Sequence, residues 1–145
     1  MLKRLLRKGG KKLKEKYVLD TGPLSLLFAG NKEIRKYFEK MYTGSIEIYM
    51  SEVNLAEFLY LYILKMGKEI AIARHRYIRN SPIKILAPNE NITQSAAILK
   101  SKYHYLSLAD VFLIATAKEI GGKVITTDED IEKTKEVEVI MIPLD

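Results

Sequence analysis

Five short apolar runs of strand length, separated by stretches with helical periodicity, constrain this chain more than any other feature. They occupy residues 17–19, 46–50, 83–86, 123–126 and 137–142. The second alternates Ile46, Ile48 and Met50 with Glu47 and Tyr49, the period of an extended strand. Between the runs, helices are expected over residues 32–42, 52–65, 68–79, 90–103 and 108–120. Local signals support their ends: Ser51 and Ser107 as N-caps, Asn89 or Asn91 as another, Pro23 at a helix first turn, and Gly121-Gly122 as a left-handed stop. Strands alternating with helices predict the α/β class, a three-layer α/β/α domain around a central, mostly parallel five-stranded sheet covered on both faces.

Composition fits one such core. The 145 residues are 48% hydrophobic and 29% charged, with no cysteine, which excludes disulfides, thiolate metal sites and cysteine nucleophiles. No apolar run approaches the roughly 18 residues of a membrane span, and no apolar block follows the basic N-terminus as in a signal peptide, so a cytoplasmic protein with no membrane partner is expected. The formal charge of +6 is unevenly placed. Eight of the 24 cations but only one of the 18 acids fall within residues 1–16, so that stretch carries +7 and the remainder −1. Leu2, Leu5, Leu6 and Leu13 have roughly helical spacing there, but Gly9-Gly10 interrupts it. The chain therefore divides into a basic N-terminal extension, 1–16, and a folded domain, 17–145. Lys3, Arg4, Arg7, Lys8, Lys11 and Lys12 of the extension are candidate contacts for a polyanion such as nucleic acid.

Four acids stand where a structural role alone does not account for them. Asp20 and Asp128 follow strand runs, at the sheet edge where open α/β sheets bind ligands, although each could also cap the next helix. Glu57 falls within a stripe of Val53, Ala56, Tyr60, Leu61 and Leu64 read at helical spacing, an expensive place for a lone charge. Asp110 completes the capping box Ser107-Leu108-Ala109-Asp110, yet opens a helix apolar nearly all round. Converging acids with no cation in their motifs repel and raise one another's pKa unless a divalent cation intervenes; oxygen ligands suit Mg²⁺ or Mn²⁺. That equipment suits metal-assisted phosphodiester hydrolysis.

Val18-Leu19-Asp20-Thr21, Asn54-Leu55-Ala56-Glu57, Leu106-Ser107-Leu108-Ala109-Asp110 and Ile125-Thr126-Thr127-Asp128-Glu129-Asp130 together resemble the four acidic motifs of the PIN-domain ribonucleases, and within them most nearly the VapC-type toxins of prokaryotic toxin–antitoxin pairs. The resemblance runs in order from Tyr17 to about Leu144. It implies a Mg²⁺- or Mn²⁺-dependent endoribonuclease leaving a 5′-phosphate and a 3′-hydroxyl. Asp20, Asp110 and Asp128 would ligate the metal, Glu57 would act through water or at a second metal, and Thr21 and Thr126 would organise the cluster. Asp130 matches a secondary acid position, or else caps the short helix after Asp128. The family implies an RNA substrate, an antitoxin that places an Arg or Lys among the acids, and a homodimer. Two departures stand out: Ile131 replaces a frequent aromatic, and typical members lack the basic extension.

Other readings differ in class. A non-toxin PIN nuclease acting on rRNA, tRNA or structured DNA keeps the acids and changes the substrate; a catalytically inactive binding module makes the acids caps and leaves affinity to the extension. Arg74, His75, Arg76 and Arg79 read as a solvated helix face rather than an RNA grip. Tyr60, Tyr62, Tyr103 and Tyr105 read as core or dimer contacts rather than base-stacking groups. His75 and His104 have no ligand spacing and read as structural.

Overall fold

The computed structural model describes the backbone of residues 7–8 and 11–144, with side chains from Leu13 to Leu144. Two short strands, β1 (Arg7–Lys8) and β2 (Lys11–Lys12), pair antiparallel, so the part of the extension that is described is extended rather than helical. The first strand of the main sheet, β3 (Glu15–Leu19), begins two residues before its apolar run. Glu15 and Lys16 are in register with Ile46 and Glu47 of the neighbouring strand, so backbone pairing, and not side-chain burial, sets where the strand starts.

After β3 the chain forms α1 (Thr21–Phe28), α2 (Lys32–Tyr42), β4 (Ile46–Ser51), α3 (Glu52–Met66), α4 (Lys68–Asn80) and β5 (Lys84–Leu86). It continues through α5 (Glu90–Lys102), α6 (Leu108–Ile120), β6 (Lys123–Thr126), α7 (Glu129–Lys133) and β7 (Val139–Met141). The five-stranded sheet has the order β5-β4-β3-β6-β7, and all four pairings are parallel, against the mostly parallel sheet expected. The edge strands β5 and β7 hold three residues each, shorter than the apolar runs they come from.

Alternation along the strands divides the core in two. Tyr17, Leu19, Ile48 and Ile125 face α1 to α4, packing with Leu24, Ile34, Phe38, Leu55, Phe58 and Ile78. Val18 and Val124 face the other way, onto α5 and α6, with Ile92, Leu99, Val111, Leu113 and Ile114. Helices thus cover both faces, the arrangement a parallel sheet requires. The signals for helix ends hold at atomic level: Asn89, and not Asn91, caps α5 by accepting from Ile92 N, and Gly121 stops α6 at φ 69° in the left-handed region.

Chain order within the sheet decides where a site can lie. From β3 the chain steps outward to β4 and β5 on one side, then returns to lay β6 and β7 on the other. The carboxyl ends of β3 and β6 therefore flank the switch point, where the departing loops open a crevice.

Candidate active site

Asp20 leaves β3 at that crevice as the N-cap of α1. Its Oδ1 accepts from Thr21 N at 2.7 Å, and its Oδ2 accepts from the Thr126 hydroxyl at 2.7 Å, across from the end of β6. The Thr126 hydroxyl oxygen in turn accepts from Asp128 N at 3.0 Å. One buried threonine thus joins the Asp20 and Asp128 loops. The loops are also close-packed: a Cβ on Gly22 would collide with Thr127 Oγ1. Only 6% of Asp20 is exposed, and burial pushes its pKa up to about 6, with Asp110 and Glu57 adding to the rise and the Thr126 and Thr21 hydrogen bonds opposing it.

Glu57 reaches the same region from the middle of α3, where Thr21 Oγ1 donates to its Oε1 at 3.3 Å. Burial, then the Asp110 charge, raises its pKa. The stripe used to place Glu57 is not the buried one. Tyr60, Leu61 and Leu64 are exposed, and the inward face is Leu55, Phe58 and Tyr62 with Asn54. α3 is apolar on most sides, so periodicity alone has little contrast from which to choose a face. Glu57 lies half-buried beside the inward face and still meets the other acids.

Asp110 is the third residue of α6, and its capping box is complete: Ser107 N donates to Asp110 Oδ2 at 2.9 Å and Asp110 N donates to Ser107 Oγ at 3.0 Å. Burial raises its pKa, the Ser107 bonds oppose the rise, and Asp128 and Asp130 add to it. Asp128 caps α7 by accepting from Asp130 N at 2.8 Å, so the cap is Asp128 and not Asp130. Asp130 is exposed, with Lys133 Nζ at 4.0 Å, the outer limit of an ion pair.

Asp20, Glu57, Asp110, Asp128 and Asp130 thus converge from four segments of sequence, and the charges that raise the pKa values of Asp20, Glu57 and Asp110 are those of one another and of their acidic neighbours. The donors are all hard oxygens, the set that fits Mg²⁺ or Mn²⁺. As the side chains stand, no group of three or more His, Asp or Glu is gathered closely enough to hold an ion among the described residues. The fit is one of charge and donor chemistry, which side-chain rotation would have to complete.

Other candidates separate. Arg79 is bound bidentately by Glu52 at 2.9 and 2.6 Å, and Arg74 stacks on Phe28 at 4.4 Å while donating to the Tyr62 hydroxyl, so neither is a free phosphate grip. Tyr62 is buried; Tyr60 and Tyr105 are exposed rather than core. The side chains of Lys3, Arg4, Arg7, Lys8, Lys11 and Lys12 lie outside the described residues. Among the described residues no helix is long and apolar enough to cross a membrane. Two contributors escaped the sequence reading. Gly22 gave no signal short of the fold, but Asn54, a short polar side chain in an apolar helix, was visible as an anomaly.

The PIN domain profile matches residues 17–137. No curated protein matches the chain by sequence. Among solved structures, DNA-bound VapBC from Salmonella typhimurium is similar with a TM-score of 0.72 at 15% identity, over 88% of this chain and 98% of that one. A toxin–antitoxin complex from Klebsiella pneumoniae gives 0.66 at 21%, over 86% and 96%. VapC20 of Mycobacterium tuberculosis, a sarcin–ricin-loop-cleaving toxin, gives 0.67 at 17%, over 85% and 98%. At these identities the likeness is one of fold.

Proposed function

This chain belongs to the PIN-domain family, and from that premise we propose that it is a Mg²⁺- or Mn²⁺-dependent endoribonuclease, the toxin of a toxin–antitoxin pair. The observation that carries the reading is the convergence of Asp20, Glu57, Asp110 and Asp128 at the switch point of the sheet, where the charges that raise the pKa values of Asp20, Glu57 and Asp110 are acidic. A cluster of one buried and three half-buried carboxylates is costly to a fold that only needs caps, and it suits a site completed by a cation.

In this reading Asp20, Asp110 and Asp128 hold the ion and Glu57 stands beside it. When bound, the metal supplies an activated water and positive charge for the scissile phosphate. The protein's part is positioning. Thr126 fixes Asp20 through Oδ2 and the Asp128 loop through its backbone N–H. Ser107 restrains one oxygen of Asp110 and leaves the other available. Thr21 holds Glu57, whose pKa burial and the Asp110 charge raise above the ordinary carboxylate value.

RNA as substrate is supported by the family and by the chemistry of the site, and an antitoxin partner by similarity in fold to toxin–antitoxin complexes such as that from Klebsiella pneumoniae. A homodimer belongs to the same proposal. The test is cleavage of RNA by the wild-type chain and by Asp20→Asn, with Mg²⁺, with Mn²⁺ and with chelator. Metal-dependent cleavage that Asp20→Asn abolishes is expected; cleavage indifferent to the substitution overturns the assignment. Calorimetry with the product of the adjacent reading frame tests the antitoxin separately.

A further inference from the structure

Glu57 and Asp110 stand on different helices, α3 and α6, so their separation depends on how those helices are set against each other. One buried polar contact joins them near the site. Asn54, wholly buried in α3 and one turn before Glu57, donates from Nδ2 to the carbonyl oxygen of Ala109 at 3.1 Å, and Ala109 immediately precedes Asp110. The amide is incompletely satisfied, since Asn54 Oδ1 is buried with no hydrogen-bond partner among the described residues.

That orphan acceptor makes the residue informative. A buried amide oxygen that has lost water and gained no partner destabilises the fold relative to an apolar side chain of the same branching, and leucine has that branching. Stability alone would therefore favour an apolar residue here. What leucine cannot supply is direction. Apolar contact is non-directional and tolerates sliding of one helix along another, whereas an N–H···O=C bond fixes both distance and angle. The bond from Asn54 pins the first turn of α6 to α3 one residue from one acid and one turn from the other.

We propose that Asn54 is a positioning residue for the acidic cluster, locking the Glu57-bearing helix to the turn that carries the metal-holding Asp110, so that the two carboxylates keep a fixed relative placement. This rests on the metal reading of the site given above. Asn54 touches neither substrate nor metal and acts through the backbone at Ala109.

The experiment compares wild type, Asn54→Leu and Asn54→Ser for thermal midpoint without metal, Mn²⁺ affinity by calorimetry, and kcat and KM on RNA. Asn54→Leu is expected to melt at or above the wild-type temperature while binding Mn²⁺ about tenfold more weakly, with kcat reduced about tenfold and KM unchanged. Should Asn54→Leu fail to fold, Asn54→Ser, which removes the amide without adding bulk, carries the same readouts. Leu55→Ala is the control: it lowers the midpoint without weakening Mn²⁺ binding, which separates positioning from general stability. Mn²⁺ affinity and kcat within twofold of wild type in Asn54→Leu overturn the role of Asn54 and spare the site. A wild-type chain that binds no Mn²⁺ overturns the metal reading, and this proposal with it.

Discussion

Two carboxylate environments in this molecule are opposites. Glu136, in the segment between α7 and β7, accepts from Lys118 Nζ at 2.6 Å, from the Tyr103 hydroxyl at 2.6 Å and from Lys102 Nζ at 3.1 Å, and these partners, Lys118 foremost, hold its pKa down at about 2. Asp20 is more deeply buried, receives hydrogen bonds from a hydroxyl and a backbone N–H, and has a pKa of about 6. The side chains have the same chemistry; the partners differ. Where a carboxylate serves only to tie a loop down, the fold surrounds it with lysines. At the carboxyl ends of β3 and β6 it gathers further acids instead. Elsewhere Glu47, Glu52 and Glu136 each have a cation as partner, and the contrast with Asp20 is what the proposed function turns on.

The largest effect should come from removing the charge at the centre of that excess. Asp20→Asn is expected to reduce metal-dependent RNA cleavage by about a hundredfold or more while leaving the thermal midpoint of the metal-free protein equal or higher, since a buried charge disappears. A lower midpoint together with intact cleavage would erase the contrast with Glu136.

Glu136→Gln should do the reverse. Cleavage stays near wild type, and the midpoint falls by a few degrees, equivalent to about 1 kcal/mol, a modest figure because both lysines are largely exposed. Thermal melts and a cleavage assay on the two variants side by side measure the contrast directly.

pH sharpens it further. The folded-state pKa of Asp20 lies above its ordinary value of 3.8, so the metal-free fold gains stability from this group as pH falls through about 6. The folded-state pKa of Glu136 lies below its ordinary 4.5, so its stabilisation is complete above that value and is lost as pH falls towards 2. Between pH 7 and 4.5, Asp20→Asn should flatten the rise in stability that acidification gives the metal-free wild type. Below pH 4.5, Glu136→Gln should flatten the fall. Saturating Mn²⁺ should reverse the first trend and leave the second untouched.

The smallest effect concerns the extension. Because β3 begins at Glu15, a clean deletion stops at Leu13. It is expected to lower RNA affinity severalfold at low salt and to reduce the slope of log affinity against log salt, with kcat unchanged. Unchanged affinity and slope would leave the extension no role in binding RNA.

Much of this was readable from residues alone, for identifiable reasons. The strand runs are short and bounded by turn residues, so the α/β class followed from their spacing, and the same spacing put Asp20 and Asp128 at strand ends, where each also serves as a helix cap. The inward face of α3 was not readable. With Leu55, Phe58 and Tyr62 inside but Tyr60, Leu61 and Leu64 outside, only tertiary packing distinguishes apolar from apolar. The extended pairing of Arg7–Lys8 with Lys11–Lys12 was equally hidden, since basic residues carry no strand period. The Asn54 bond to Ala109 spans 55 positions, and no local rule reaches that far.

The bond from Thr126 to Asp20 crosses 106 positions and joins strands that are neighbours in space but far apart in synthesis. A chain interrupted before Lys123 already contains Asp20, Glu57 and Asp110, yet it lacks β6, one of the two strands that flank β3, and the hydroxyl that orients Asp20. The residues from Lys123 onward, made after Asp20, Glu57 and Asp110, therefore complete the acidic cluster, and an incomplete product, whether from a stalled ribosome or a nonsense codon, carries three of the four acids without the geometry that would let them act together.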